Sequence, residues 1–155
     1  MATMEELYQS VIIEHDRSPR NFRQLVAPTH HAQGTNPLCG DTVEVECVVD
    51  DEGRLSDIAF QGRGCAVSKA SASMMTTALK GKSVEEAREI AEGFHAMLTG
   101  KDVDTATLGK LKVFAGLGAY PMRVKCATMA WHALKEALKS DPTLERSSHI
   151  CPTQK

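Results

Sequence analysis

The clearest pattern of hydrophobic and polar positions is a strict alternation in two neighbouring segments. Residues 42–49 (TVEVECVV) place valines and one cysteine on one face, and residues 54–60 (RLSDIAF) alternate in the same way. A period of two is typical of half-buried β-strands, and residues 50–53 (DDEG) have the composition of a turn. The pattern predicts an antiparallel hairpin whose second strand is broken by residues 62–64 (GRG).

A period of three to four residues predicts helices on both sides of this hairpin. The predicted helices span about residues 4–18, 65–80, 83–98, 104–117 and 122–139. Residues 22–40 are rich in turn-forming residues, so we expect a loop there with at most a short edge strand. This order predicts an α+β domain, in which four to five helices pack against a small antiparallel sheet of about three strands.

Length and charge limit the possible functions. We expect residues 1–140 of the 155 to form a single domain, and the polar residues 141–155 to form a mobile tail. The formal net charge of −2 argues against a nucleic-acid or membrane-surface binder, because such proteins usually carry a basic excess. The sequence has neither a spanning apolar run nor a secretory signal, so we expect a cytoplasmic protein.

Five cysteines are the residues that most need a chemical explanation. An odd number in a chain of this type argues against a disulfide framework. Cys47 lies on the apolar face of a predicted strand and is expected in the core, and Cys151 lies in the tail, where nothing preorganises a site. Cys39, Cys65 and Cys126 each lie in a loop or near the start of a predicted helix.

These last three cysteines have a setting that suits thiolate chemistry. Helix N-termini favour thiolates, and the predicted hairpin brings Cys39 and Cys65 to the same end of the sheet. Three thiolates and the carboxylate of Asp41 would make a complete tetrahedral ligand set for zinc. The spacing of the three cysteines matches no C-x-x-C zinc finger. The alternative therefore remains open that the cysteines are unrelated residues at the ends of elements and that Asp41 serves only the turn.

The sequences around the three cysteines resemble one known family. NPLCGD (36–41), GRGCAVSKASASMM (62–75) and MRVKCATMAWHAL (122–134) are similar to iron–sulfur cluster assembly proteins of the NifU-N/IscU type, as is IIEHDRSPRN (12–21). The resemblance covers roughly residues 5–140. It implies a small antiparallel sheet flanked by helices, in agreement with the pattern above.

Two features resemble the SufU branch of this family more than its IscU scaffold branch. Lys125 occupies the position where the scaffold branch has a histidine that helps to hold a cluster, and the segment 93–121 is longer than in that branch. The SufU resemblance implies a zinc-bound protein that receives sulfur from a pyridoxal-phosphate cysteine desulfurase of the SufS type and serves the downstream iron–sulfur assembly machinery. It implies Cys39 as the sulfur-accepting nucleophile. The implied zinc ligands are Cys39, Asp41, Cys65 and Cys126.

The resemblance leaves several alternatives open. An ammonium group has no lone pair, so Lys125 is a poor substitute for a histidine ligand. Lys125 and Arg123 are instead expected to neutralise the thiolates or to contact a partner, unless they are ordinary solvated charges. The same ligands would also suit a scaffold that assembles a [2Fe–2S] cluster, or a purely structural zinc in an interaction module. Whether the protein is an enzyme therefore stays open.

Overall fold

A computed structural model describes residues 3–36, 40–101 and 105–139. The elements are α1 (Met4–Arg17), β1 (His30–Asn36), β2 (Asp41–Val49), β3 (Leu55–Arg63), α2 (Ala66–Leu79), α3 (Val84–Leu98), a 3-10 segment (Thr105–Ala119) and α4 (Pro121–Lys139). The predicted α+β class, with a three-stranded antiparallel sheet and five helical elements, is confirmed. None of the described helices is long and apolar enough to cross a membrane.

The sheet has the order β1-β2-β3, with β2 in the centre. Val43, Val45 and Cys47 are buried on one face of β2, as the alternation predicts. Helix α4 packs across β1 and β2, whereas α2 packs against β3, α1 and α4. Burial raises the pKa of the Cys47 thiol to about 12, so this cysteine has the properties of a core residue.

Strand β1 is longer than the sequence analysis predicts. Residues 22–40 were expected to form a loop with at most a short edge strand, but His30–Asn36 pairs along its whole length with β2. The sequence of β1 shows no apolar alternation. The strand forms because its backbone pairs with β2. Gly34 allows α4 to approach closely, since an added Cβ would lie 3.1 Å from the carbonyl oxygen of Met129.

Strand β3 continues through the predicted break at Gly62 and ends at Arg63. Gly62 pairs with Val43 in the ladder and has a φ of 147°. A Cβ at this position would lie 2.2 Å from the carbonyl oxygen of Thr42, so glycine is required for the close approach of the two strands. The extension of β3 carries the chain to the end of the sheet at which Asp41 begins β2.

The segment predicted as a helix over residues 104–117 is a 3-10 segment over Thr105–Ala119, and residue 104 lies outside the described residues. Gly109 interrupts it with non-helical dihedrals (φ 53°, ψ −127°). Glycine tolerates this left-handed conformation and disfavours a regular α-helix, which explains the difference. Three apolar residues of the segment are nevertheless buried: Leu108, Leu111 and Phe114.

Buried hydroxyl groups of α2 connect this helix to its neighbours. Ser71 Oγ donates a hydrogen bond to the carbonyl oxygen of Ala127 at 2.5 Å and accepts one from Trp131 Nε1 at 3.0 Å. Both contacts lie on α4, directly after Cys126 in the chain. Because a buried polar group without a partner costs free energy, these bonds fix how α2 and α4 lie against each other. They thereby fix the distance between Cys65 and Cys126.

Candidate metal centre

Three of the predicted ligands come together from three different elements. Asp41 is the first residue of β2, Cys65 directly precedes α2, and Cys126 lies in the second turn of α4. Their potential ligand atoms all lie within 4.8 Å of one another. Asp41 and Cys126 are buried, whereas Cys65 is exposed. The antiparallel hairpin explains why Asp41 and Cys65 are close together, because β2 begins at the end of the sheet where β3 finishes.

Cys65 occupies the N-cap position of α2 with an extended backbone (φ −70°, ψ 170°). Ser, Thr, Asp and Asn are preferred there because their side-chain oxygens accept a hydrogen bond from the first turn of the helix. The Cys65 side chain makes no such capping bond. Cys65 is exposed at the N-terminal end of α2, where a metal ion or an electrophile can reach its Sγ.

Asp41 is a buried carboxylate, with 7% of its surface exposed. Its Oδ2 accepts hydrogen bonds from the backbone N–H of Cys65 and from the hydroxyl of Ser68, both at 3.3 Å. Across the described ranges 3–36, 40–101 and 105–139, no basic side chain forms an ion pair with Asp41. Burial of a carboxylate without a counter-charge is costly, so a cation suits this position.

The chemistry of these donors fits zinc. Zinc takes thiolate and carboxylate ligands in tetrahedral sites, with Zn–S bonds of about 2.3 Å. Two sulfur ligands of one tetrahedral ion therefore lie roughly 3.8 Å apart. The separations within the Asp41–Cys65–Cys126 group reach this range with only small side-chain movements. The three residues could supply three of the four ligands that a tetrahedral ion needs.

Cys39, the fourth predicted ligand, lies outside the described residues, as do Cys151 and the rest of residues 140–155. The chain that flanks Cys39 is described on both sides. The N–H of Gly40 donates a hydrogen bond to the carbonyl oxygen of Asn36 at 2.8 Å, and Asn36 pairs with Asp41 across the β1–β2 ladder. The assignment of Cys39 stays a prediction.

Arg123 and Lys125 are both exposed on the first turns of α4. The Arg123 guanidinium lies over the ring of Tyr120, 5.2 Å from its centroid, which is a cation–π distance. Lys125 directly precedes Cys126 in the chain. Both cations thus lie within three residues of Cys126 in the chain, and their roles stay predictions.

Tyr8 on α1 is a neighbour of the site that the sequence analysis does not identify. Its ring packs edge-to-face on Phe114, with a centroid distance of 5.9 Å. Burial raises the pKa of the Tyr8 phenol, the Arg123 charge opposes this, and Cys65 and Cys126 add to it. These electrostatic interactions place the phenol near the two cysteines.

Ser68 is the second residue that the sequence analysis missed. It is buried and lies one turn after Cys65 on α2, in hydrogen-bonding contact with Asp41. The signal that could have found it is its spacing, because residues three apart share a helix face.

None of the histidines in the described part of the chain joins the Asp41–Cys65–Cys126 group. These residues are His15, His30, His31, His95 and His132. His15 Nδ1 lies 2.7 Å from Ser73 Oγ, and the rings of His95 and His132 contact each other with centroids 5.4 Å apart. The ligand types assembled here are thus sulfur and carboxylate oxygen.

The model of the NifU-like N-terminal domain family matches residues 7–96, more than half of the chain. The chain belongs to this family. One similar protein is the iron–sulfur cluster assembly scaffold protein IscU of Streptococcus pyogenes serotype M1. It is 41% identical over 90% of this chain and 87% of its own length. The zinc-dependent sulfurtransferase SufU of Bacillus subtilis strain 168 is 36% identical over 90% and 95%.

A solved structure of this NifU-like family gives the same fold. FiSufU of Fervidobacterium islandicum AW-1, a scaffold candidate of the SUF system, superimposes with a TM-score of 0.81 at 32% identity. The match covers 85% of this chain and 96% of that one. The family resemblance found in the sequence is therefore confirmed, and the chain is a member of the IscU/SufU group of iron–sulfur cluster assembly proteins.

Proposed function

We propose that this protein is a zinc-bound sulfur acceptor, which takes persulfide sulfur from a SufS-type cysteine desulfurase through Cys39. The observation that carries the proposal is the Asp41–Cys65–Cys126 group, which brings together sulfur and carboxylate ligands and includes none of the described histidines. The similarity to the zinc-dependent sulfurtransferase SufU supports the same function. Lys125, in the position of the scaffold branch's histidine, supports it independently.

In the proposed reaction, the Cys39 thiolate attacks the terminal sulfur of the desulfurase persulfide. A new S–S bond forms on Cys39, the S–S bond within the donor persulfide breaks, and the desulfurase cysteine leaves as a thiolate. The exchange needs no external oxidant or reductant, since one disulfide-type bond replaces another. Cys39 is suited to this step by its position, because it is linked to the ligand Asp41 through Gly40 alone. Two residues of extended chain span at most about 7 Å.

The other residues of the site hold and balance charge. Asp41, Cys65 and Cys126 would hold the zinc together with Cys39, and zinc when bound keeps its sulfur ligands deprotonated. Three thiolates and one carboxylate on a divalent ion leave a formal charge of about −2. We expect the exposed guanidinium of Arg123, three residues before Cys126 on α4, to offset this charge and attract an anionic persulfide.

The test is sulfur transfer from a pyridoxal-phosphate cysteine desulfurase supplied with ³⁵S-cysteine. Wild-type protein should become labelled on a reductant-sensitive sulfur, and Cys39→Ala should not. Cys151→Ala is the matched control, because it removes a cysteine of the tail and leaves the proposed ligands unchanged. Labelling of Cys39→Ala at the wild-type level would refute the assignment of Cys39.

The alternative is a scaffold on which a [2Fe–2S] cluster is assembled. The similarity to the scaffold protein IscU of Streptococcus pyogenes, which is 41% identical to this chain, favours this alternative. Metal analysis of protein purified without oxygen separates the two functions: stoichiometric colourless zinc supports sulfur transfer, whereas a brown, labile cluster supports the scaffold. Lys125→His adds a second comparison, because it supplies an imidazole next to Cys126 and should increase cluster retention only if these residues hold a cluster.

A further inference from the structure

Ser68 is a buried hydroxyl in contact with two of the three residues of the metal group. It is 5% exposed, and its Oγ lies 3.3 Å from Oδ2 of Asp41. The same Oγ lies 3.0 Å from the carbonyl oxygen of Cys65 and 3.8 Å from Cys65 Sγ. Cys65 Sγ is the donor in its contact with Ser68 Oγ, whereas Asp41 Oδ2 and the Cys65 carbonyl are acceptors. A serine hydroxyl has a single proton to donate, so these two acceptors compete for it.

Charge favours donation to Asp41. The Cys65 carbonyl already accepts a hydrogen bond from the backbone N–H of Lys69 at 3.1 Å. The Asp41 carboxylate is buried and forms no ion pair with any residue of the described ranges. A hydrogen bond to an ionised acceptor is roughly twice as strong as one between neutral groups. The proton of Ser68 is therefore directed to Oδ2 of Asp41.

The two donors then act on the same oxygen. The backbone N–H of Cys65 and the hydroxyl of Ser68 both lie 3.3 Å from Oδ2 of Asp41. An oxygen that accepts two hydrogen bonds is a poorer ligand, so Oδ1 is the oxygen left for a metal ion. We propose that Ser68 is a positioning residue that restricts Asp41 to one-oxygen coordination and so keeps the metal site four-coordinate. This inference rests on the metal binding in the proposed function.

The first test compares Ser68→Ala with Ser73→Ala in zinc affinity. Ser73 is a matched control, because it is a buried serine of the same helix whose Oγ contacts His15 and the Arg20 N–H, away from the metal group. Affinity is measured on the full chain by competition with a chromophoric chelator. Ser68→Ala should bind zinc about 10–100-fold more weakly, the usual effect of removing an outer-shell hydrogen bond. Ser73→Ala should keep the wild-type affinity.

The second test reports the coordination number directly. Cobalt(II) in a four-coordinate site absorbs strongly in the visible d–d region, and a fifth ligand atom weakens this absorption. Wild type and Ser73→Ala should show the strong bands. In Ser68→Ala, Oδ2 of Asp41 keeps only the hydrogen bond from the Cys65 N–H, so it can also coordinate the metal ion and the bands should weaken. Circular dichroism of the metal-free proteins shows whether each variant is folded.

If Ser68→Ala does not fold, the isosteric pair Ser68→Thr and Ser68→Val replaces it, since these side chains differ mainly in the hydroxyl group. Thr should retain the zinc affinity and cobalt spectrum that Val loses. Wild-type affinity and spectrum in Ser68→Ala, or equal behaviour of the Thr and Val variants, would overturn the positioning role. A wild-type protein that binds neither zinc nor cobalt would instead refute the proposed metal site itself.

Discussion

Gly64 offers a sharp test of the packing around the candidate site. A Cβ added to it would lie 2.4 Å from Ser68 Oγ, 3.0 Å from Asp41 Cγ and 3.1 Å from Asp41 Oδ2. Ordinary contacts begin near 3.4 Å, so Ser68 Oγ would have to move by 3.4 − 2.4 = 1.0 Å. Gly64 is not in the left-handed region, so the expected effect of Gly64→Ala is steric.

The energetic cost follows from what must move. Rotation of Ser68 away from the new methyl group breaks its hydrogen bond to the Asp41 carboxylate, and bonds to charged groups contribute about 1.5–3 kcal/mol. Displacement of Asp41 itself would be overpacking, at about 1–3 kcal/mol. Since 1.4 kcal/mol is a factor of ten, Gly64→Ala should weaken zinc binding about 10–100-fold.

The assay is a chelator-competition titration with zinc, together with thermal unfolding with and without the metal. Gly116→Ala is the matched control, because it adds the same methyl group where nothing lies within 4 Å. Its zinc affinity should equal that of the wild type, and Gly64→Ala should lose most of the zinc-dependent rise in Tm. Wild-type affinity and Tm in Gly64→Ala would show that the group around Asp41 is not packed as described.

Three further predictions concern the surroundings of the site. Because the pKa of Cys47 is about 12, iodoacetamide at neutral pH should label Cys47 only after unfolding, as measured by peptide mass spectrometry. Burial and the Arg20 charge lower the pKa of His15, so the unfolded chain binds more protons as the pH falls through 6.5. Stability in urea should therefore decrease below that pH, and less steeply in His15→Asn. Trp131→Phe removes the donor to Ser71 Oγ and should lower the free energy of unfolding by about 1–3 kcal/mol in denaturant titrations.

The hairpin and the helices could be predicted because their information is local. Alternation gave β2 and most of β3, and the helical period gave α1 to α4, with Ser83 confirmed as the start of α3 through its capping box. Strand β1 could not be predicted, because its partner β2 rather than its own side chains makes it a strand. The extension of β3 was missed because Gly62 indicates both a strand break and a close approach of two strands.

Without the family resemblance, which implied all four ligands, the site was predictable only as far as the strand topology determines it. The hairpin places Asp41 and Cys65 at the same end of the sheet, and the hairpin itself can be predicted from the sequence. The position of Cys126 depends on how α4 packs, which tertiary contacts such as the Ser71–Trp131 hydrogen bond decide. Ser68 was missed because its role appears only when the Asp41 carboxylate is beside it.

The unequal burial of the metal group has a consequence for the proposed reaction. Asp41 and Cys126 are buried, and hydrogen bonds anchor Asp41 to the start of α2, whereas Cys65 is exposed. In the proposed reaction, a sulfur donor would therefore reach Cys65 more readily than Asp41 or Cys126. Arg123 is exposed three residues before Cys126 on α4, and its charge acts on the Tyr8 phenol, as do Cys65 and Cys126. The donor persulfide and the thiolate that leaves the desulfurase cysteine are both anionic. Removal of the Arg123 charge should therefore slow sulfur transfer more than it weakens zinc binding.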